Sequence, residues 1–258
     1  MNAITLEDFL VFATDFRATS TADFPKDRTV VMVKSAEWLH RLVQALANNE
    51  VEILTMCPWA IYREVGEAPD WFKKRARPVL FDDVTKEFIR FHNIVNANRQ
   101  PEDNVYAATA KCHPTVVVGI EGMRYFCGPE TDRPMAMKHM GNVILGEHVD
   151  IGPYTVIHRG TIGSTVIGNC VKIGSFVNIG HNVVIGEKTA ITPFVCIGGS
   201  TRIGPNCWIG MHSVIRDNIE IGEGIKIGMG SQVVNDIQEP GVYYGTPATR
   251  RGDWDGVW

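Results

Sequence analysis

The chain has 258 residues, of which 45% are hydrophobic and 21% are charged, a composition typical of a soluble globular protein. Its formal net charge of −4 argues against a general affinity for nucleic acid or for anionic membranes. No apolar run approaches the ~20 residues of a membrane-spanning helix, and the N-terminus lacks a basic-then-apolar secretory signal. We therefore expect a cytoplasmic protein without membrane insertion. The six cysteines are scattered without a CxxC pair, which predicts reduced thiols rather than a disulfide framework or a zinc site.

Residues 1–110 alternate strand-like and helix-like stretches and predict a small α/β domain, followed by a connecting segment over 111–140. This part contains no GxGxxG or Walker loop, so no phosphate-cradling element is visible. The expected strands cover 29–35, 51–57 and 77–83, and the expected helices cover 36–49 and 84–99.

From Gly141 onward the sequence follows a six-residue repeat. Aliphatic residues recur at every sixth position from Ile167 to Val233, and most are followed by glycine. Such a fixed period is typical of a solenoid in which three hexads form one coil, so that residues eighteen positions apart stack. The fold class that we predict is mainly β, with a left-handed parallel β-helix over 141–240 and a C-terminal tail over 241–258.

One step in the repeat is longer than the others. From Ile157 to Ile167 the spacing is ten residues rather than six, so about four residues are expected to loop out. With that loop allowed for, Ile157 stacks under Ile179, and Arg159 lies one coil below His181.

His181 follows its buried anchor by two residues, at an outward-facing position beside glycine-rich backbone. Gly180 precedes it, and the doublet Gly198–Gly199 lies one coil further on. An unperturbed histidine titrates near pH ~6.5 and can act as a base at neutral pH. A glycine N–H in the next coil can donate to a developing oxyanion while His181 accepts a proton from the nucleophile. The positive charge of a nearby Arg159 would disfavour the imidazolium form and keep His181 neutral. The alternative interpretation of His181 is a solvated surface histidine without a catalytic role.

The repeat region resembles a known group of acyltransferases. The matching segments are VNIGHNVVIGE (177–187), CIGGSTRIG (196–204) and EPGVYYGTPA (239–248), with HPT (113–115) and GIEG (119–122) as further matches. They are similar to the UDP-3-O-acylglucosamine N-acyltransferases of lipid A synthesis and to related nucleotide-amino-sugar N-acetyltransferases of surface-polysaccharide pathways. The similarity covers roughly 113–248.

The resemblance implies that His181 is the general base and that the Gly199 amide forms the oxyanion hole, in a homotrimer with active sites between subunits. It also implies that the N-terminal domain binds a nucleotide sugar. The expected substrate-binding residues are Asn178, which aligns with a sugar-contacting glutamine of the family, and Asn182, His158 and Arg159. The expected residues of the acyl-donor groove are His212 and Gly198.

The chain departs from the lipid A enzymes in ways that concern the donor. Asn218 stands where those enzymes carry a second histidine, and the chain stops soon after GTPA without the helical tail that helps to hold acyl carrier protein. These departures favour a short acyl group on coenzyme A. We therefore expect an N-acyltransferase that uses acetyl-CoA or another acyl-CoA, requires no metal, and acylates the amine of a nucleotide-linked amino sugar.

Several alternatives remain open at this level. A γ-class carbonic anhydrase shares the solenoid and binds zinc through three histidines, but histidines 158, 181 and 212 lack its closely paired arrangement. A pure scaffold is a second alternative. Within the acyltransferases, a donor on acyl carrier protein and O-acetylation of a hydroxyl also remain, since the same base serves either nucleophile.

Overall fold

A computed structural model describes residues 17–19, 29–32, 53–57, 76–80, 84–127 and 133–254 of the chain. The described residues divide into two compact units. The first unit takes the residues up to Gln100 together with Met123–Lys138, and the second unit takes Pro101–Gly122 and the residues from His139 onward. The expected helix over 36–49 lies outside the described residues. In the part of the chain that is described, no helix is long and apolar enough to span a bilayer.

The described residues of the first unit form a parallel sheet, one helix and a short antiparallel pair of strands. The strands of the sheet, in spatial and chain order, are β1 (Arg17–Thr19), β2 (Thr29–Met32), β3 (Ile53–Cys57) and β4 (Ala76–Leu80). Each pairs with the next in parallel, as expected of an α/β unit. The other elements are helix α1 (Val84–Val95) and the antiparallel pair β8 (Tyr125–Phe126) and β9 (Met135–Ala136).

Helix α1 presents a narrow buried stripe and ends on a cation. Phe88, Ile89 and His92 follow the helical period and are almost fully buried. At the C-terminal end, the Lys138 ammonium donates to the carbonyls of Asn96 at 2.8 Å and Arg99 at 2.9 Å. A cation at this position satisfies carbonyls that have no partner within the helix and complements the helix dipole.

The second unit is a solenoid with three parallel sheets, one on each side of a triangular coil. The first sheet contains β5 (Val105–Tyr106), β10 (Val143–Leu145), β13 (Thr165–Ile167), β16 (Val184–Ile185), β19 (Arg202–Ile203) and β22 (Glu220–Ile221). The second contains β6 (Lys111–Cys112), β11 (Asp150–Ile151), β14 (Lys172–Ile173), β17 (Ala190–Ile191), β20 (Trp208–Ile209), β23 (Ile225–Ile227), β25 (Gly241–Tyr244) and the antiparallel β26 (Thr249–Gly252). The third contains β7 (Val117–Ile120), β12 (Val156–His158), β15 (Asn178–Ile179), β18 (Cys196–Ile197), β21 (Val214–Ile215) and β24 (Gln232–Val233).

The interior of the solenoid is a ladder of aliphatic anchors. Ile179 pairs with Ile157 below it and Ile197 above it, which is the predicted register across the ten-residue step. Positions four residues after an anchor also point inward, and where they carry hydroxyls these bond to carbonyls: Thr189 donates to Gly204 at 3.0 Å. Buried hydroxyls are therefore satisfied within the coil. The predicted fold class, a left-handed parallel β-helix preceded by an α/β unit, is confirmed.

The solenoid begins earlier than the sequence predicted. Strands β5, β6 and β7 form a first coil that pairs in parallel with the next coil, within the segment that was expected to be the end of the α/β domain and a connection. The residues of this coil that pair with the buried anchors of the next coil are Tyr106, Cys112 and Val118, which keep the six-residue step but are not a run of isoleucines. The aliphatic pattern consequently missed them. The expected tail also differs, because β25 and β26 extend the second sheet.

The glycine that follows most anchors does not adopt the left-handed conformation of the corner. That conformation lies two residues later, at non-glycine residues such as Phe176, Asn182 and Ser200. The glycine is required by distance: a Cβ on Gly180 would lie 2.6 Å from the amide nitrogen of Gly199 in the next coil. Close stacking of coils, rather than backbone conformation, therefore selects glycine here.

The ladder predicts a strong contrast between neighbouring residues of β19. Ile203 is buried in the core, whereas Arg202 on the opposite face of the same strand is exposed. We expect Ile203→Ala to lower the free energy of unfolding by about 2–5 kcal/mol, because it leaves a cavity in a close-packed stack. Arg202→Ala should change it by less than about 0.5 kcal/mol. Urea denaturation followed by circular dichroism measures both, and equal effects would contradict the assignment of the core.

Candidate functional site

His181 lies at the corner between the third and first sheets, half-buried, directly after the close contact at Gly180. Asn182 follows in the left-handed conformation with φ 60°, which turns the chain into β16. The Asn182 N–H donates to the hydroxyl of Thr165 at 2.9 Å. The corner is thus fixed from both sides, and His181 is held at its apex.

The side chain of Asn182 determines which ring nitrogen of neutral His181 carries the proton. Its Oδ1 accepts from the backbone N–H of Thr161 at 3.0 Å and from the Thr161 hydroxyl at 2.8 Å. Because a backbone N–H can only donate, the oxygen of the amide must face it. The same oxygen lies 3.1 Å from Nδ1 of His181. In the neutral ring Nδ1 therefore carries the proton, and Nε2 carries the lone pair that a base needs.

Gly199, one coil further on, lies against the reactive end of this ring. A Cβ on Gly199 would lie 2.8 Å from both Cε1 and Nε2 of His181, so only glycine leaves room for the imidazole. The flanking amides of Gly198 and Ser200 bond to the carbonyls of Ile215 and His181. Among the backbone hydrogen bonds of the described residues, the N–H of Gly199 has no acceptor. The predicted neighbourhood of His181 and Gly199 is present.

The ten-residue step forms a short loop over 160–164 that packs on Asn182. The Asn182 Nδ2 donates to the carbonyl of Gly163 at 3.2 Å, and Thr161 bonds to the amide oxygen. A Cβ on Gly160 would lie 1.6 Å from the same Gly163 carbonyl oxygen, so the loop closes tightly on itself. The irregularity in the repeat therefore supplies the groups that hold Asn182, which in turn holds His181. Asn182 was also expected to contact substrate, and that contact stays a prediction.

Two residues of the site were not singled out from the sequence. Gly122 lies so close to the ring of His181 that a Cβ there would be 3.1 Å from its Cδ2. The ring of His139 forms an edge contact with that of His181, with centroids 5.5 Å apart and planes at 74°. Gly122 stands in the GIEG motif, but stacking it on His181 requires the first coil, whose anchors the aliphatic pattern did not reveal.

Asn178 and His158 flank the same corner. Asn178 is exposed on the outer face of β15, two residues before Gly180. His158 is half-buried at the end of β12, one coil below, and its Nδ1 lies 3.0 Å from the carbonyl of Glu121. Since a carbonyl only accepts, Nδ1 of His158 donates and its Nε2 is the accepting nitrogen. Contact of Asn178 and His158 with substrate stays a prediction.

Arg159 was predicted to bind substrate and to keep His181 neutral, but its guanidinium is engaged elsewhere. Nε donates to the carbonyl of Gly119 at 2.5 Å, and one terminal nitrogen approaches the carbonyls of Gly141 at 3.4 Å and Glu102 at 3.5 Å. These are backbone groups of the first two coils, so Arg159 braces the start of the solenoid. The Asn182 amide fixes the tautomer of the neutral His181 ring. The influence of the Arg159 charge on the protonation of His181, and its contact with substrate, stay predictions.

The two residues expected in the donor groove lie in different surroundings. Gly198 has the packing role of the other glycines, since a Cβ there would lie 2.3 Å from the amide nitrogen of Asp217. His212 lies at the corner between the second and third sheets, whereas His181 lies at the corner between the third and first. It ends an exposed column that we call the aromatic ladder: Tyr154, Phe176, Phe194 and His212, stacked at centroid distances of 5.0, 5.0 and 4.8 Å.

A metal-binding arrangement was the main rival prediction. Among the described residues, no three side chains of histidine, cysteine, aspartate or glutamate converge so as to hold a metal ion. His212, which a three-histidine site would need, occupies a different corner of the coil from His181.

Comparison with known proteins gives partial matches. Residues 200–235 match the family described as bacterial transferase hexapeptide (six repeats). The UDP-3-O-acylglucosamine N-acyltransferase of Rhizobium meliloti (strain 1021) is 44% identical over 71 residues, which are 28% of this chain and 20% of that protein. A UDP-3-O-acylglucosamine N-acyltransferase 1 of Francisella tularensis subsp. holarctica (strain OSU18) is 40% identical over 67 residues, 26% of this chain and 19% of that protein. The matched region thus spans about a fifth of the length of these curated relatives.

Solved structures show a more distant similarity. The UDP-N-acetylglucosamine O-acyltransferase of Moraxella catarrhalis aligns with a TM-score of 0.45 and 20% identity, over 59% of this chain and 73% of that one. The GDP-perosamine N-acetyltransferase of Caulobacter crescentus aligns with a TM-score of 0.40 and 16% identity, over 87% of this chain and 96% of that one.

The bond from Asn182 to His181 predicts a measurable change in tautomer. In Asn182→Ala, Nδ1 of His181 loses its acceptor, and we expect a mixture of the two neutral tautomers instead of one. Long-range 1H–15N spectra of the imidazole distinguish them. Asn206→Ala is the matched control, because Asn206 has the same left-handed conformation, with φ 55°, at another corner. An unchanged His181 spectrum in Asn182→Ala would refute the assignment.

Proposed function

We propose that the chain is an acyl-CoA-dependent N-acyltransferase that acts on the amino group of a nucleotide-linked amino sugar. The observation that carries this proposal is the arrangement at His181: Nδ1 is held by Asn182, and Nε2 adjoins the bare backbone of Gly199. A base and a backbone donor side by side suit the attack of an amine on a thioester. The identity to UDP-3-O-acylglucosamine N-acyltransferases over the repeat supports the same class of reaction.

In the proposed mechanism the acceptor amine attacks the thioester carbonyl directly. As the C–N bond forms, Nε2 of His181 accepts a proton from the amine, and the Gly199 N–H donates to the oxyanion of the tetrahedral intermediate. The intermediate collapses as the C–S bond breaks. Coenzyme A leaves as a thiolate that takes the proton back from the His181 imidazolium, so the base is regenerated.

Direct transfer of the acyl group is favoured over a covalent acyl-enzyme because the thiol of Cys196, on the neighbouring strand β18, is a poor nucleophile. Cys196 in β18 pairs with Asn178 in β15, the strand that precedes His181. Partial burial raises the pKa of the Cys196 thiol. Little thiolate is present at neutral pH, and it is the thiolate that attacks thioesters.

Asn178 and His158 are the proposed contacts to the sugar. Both lie at the His181 corner, and both present hydrogen-bonding groups on the outer surface of the coil. For the donor, we propose a short acyl group on coenzyme A, since the second histidine of the lipid A enzymes is replaced by Asn218. Asn218 is held by its own neighbour, with Nδ2 donating to Asp217 at 2.7 Å.

The central prediction concerns His181. We expect His181→Ala to lower kcat by about two to four orders of magnitude, the usual contribution of a general base, while the solenoid remains folded. The assay monitors free thiol released from acetyl-CoA in the presence of UDP- or dTDP-linked 3- and 4-amino sugars. His148→Asn is the control, because His148 is exposed in a left-handed corner position that asparagine accepts.

A loss of less than tenfold in His181→Ala would contradict the base assignment. Acylation of a sugar hydroxyl instead of a sugar amine would contradict N-acyl transfer but would leave the assignment of His181 as the base intact. Stoichiometric zinc in the purified protein, together with loss of activity on chelation, would overturn the acyltransferase proposal in favour of a metalloenzyme.

We further propose a homotrimer, which an exposed apolar surface on the solenoid supports. The aromatic ladder, in which Tyr154, Phe176 and Phe194 are 57%, 49% and 46% exposed, is a contiguous apolar column beside the third sheet. Contiguous apolar surface of this kind marks an interface with another protein chain. Light scattering coupled to size-exclusion chromatography should give about three times the chain mass of 28.6 kDa. Elution as a monomer at micromolar concentration would contradict it.

A further inference from the structure

His139 is a buried histidine at the point where the chain re-enters the solenoid. Its side chain is 1% exposed, and its backbone N–H donates to the Glu121 carboxylate at 3.3 Å. Gly122 and His139 are the two ends of an excursion, since Met123–Lys138 belong to the first unit. A Cβ on Gly122 would lie 3.1 Å from Nε2 of His139 and 3.1 Å from Cδ2 of His181. Glycine at position 122 therefore lets the two rings approach each other.

The ring of His181 is enclosed by four groups of the second unit. Asn182 holds Nδ1, Gly199 lies against Cε1 and Nε2, and Gly122 lies against Cδ2 and Cβ. His139 adds an edge contact, with ring centroids 5.5 Å apart. The first three are a hydrogen bond and two glycines that have no side chain to pack on the ring. His139 is the one bulky side chain of this set.

We infer that His139 is a positioning residue for His181: its buried ring limits the tilt of the imidazole so that Nε2 stays beside the Gly199 amide. The inference rests on the proposed function insofar as it concerns catalysis. A base displaced by about 1 Å loses on the order of a hundredfold in rate, so a contact that restricts the ring has a kinetic consequence without touching substrate. The role requires an aromatic ring at position 139 rather than a titrating nitrogen.

Comparison of His139→Ala with His139→Phe distinguishes the effect of the aromatic ring from that of its nitrogens. In His139→Ala we expect kcat to fall about tenfold or more, with the KM for acetyl-CoA within about threefold of the original, because binding groups are untouched. In His139→Phe the edge contact between rings is retained, and kcat should return to within about threefold. His113→Ala, an exposed histidine of the first coil, is the control.

A second measurement needs no substrate. Ring 1H–13C signals of His181 in the labelled full-length protein should be sharp in the original and in His139→Phe, but broadened or split in His139→Ala. If the original protein transfers no acyl group, the proposed function fails while these spectra still decide whether His139 orders the ring. Should His139→Ala not fold, Gly122→Ala takes its place, since the added Cβ presses on both rings and should shift the His181 signals.

Two results would overturn the inference. If His139→Phe is as impaired as His139→Ala, a nitrogen of His139 is needed and ring positioning is not its role. If His139→Ala keeps sharp His181 signals and full kcat, the contact has no positioning effect.

Discussion

Successive coils of the solenoid stack so closely that, after most buried anchors, a side chain would collide with the next coil and glycine stands there instead. A Cβ at Gly180 or Gly198 would lie within 2.6 Å of an amide nitrogen in the next coil. This constraint follows from parallel pairing of very short strands around a small aliphatic core, in which each coil must lie directly on the last. The corner that carries His181 depends on it, because Gly180 directly precedes that residue.

At the corner that carries His181, the close stacking of the coils also shapes the candidate site. The glycine required for stacking at position 180 precedes His181, and the second glycine of the next doublet, Gly199, is the one that makes space for the imidazole. The loop created by the ten-residue step supplies donors that fix the amide of Asn182. The site therefore combines the regular packing of the coils with a single interruption of it.

The six-residue period was sufficient to predict the coils, the stacking of Ile179 on Ile157, and the proximity of His181 to Gly199, because each depends only on arithmetic along a regular repeat. It was insufficient where the side chains break the pattern. Tyr106 and Cys112 replace isoleucine in the first coil, which hid that coil and with it Gly122 and His139. The roles of Asn182 and Arg159 depend on hydrogen bonds across coils, which spacing alone does not specify.

The left-handed corner positions have a consequence for how such a chain can vary. Because the backbone bends there and the side chain points away from the core, residues as different as Cys170, Lys188, Phe194 and His212 occupy equivalent places. Each corner is in effect a row of display positions at regular intervals of about 5 Å, as the aromatic ladder illustrates. The residues along one edge of the solenoid can therefore be substituted one by one, which changes the surface chemistry but leaves the isoleucine core unchanged.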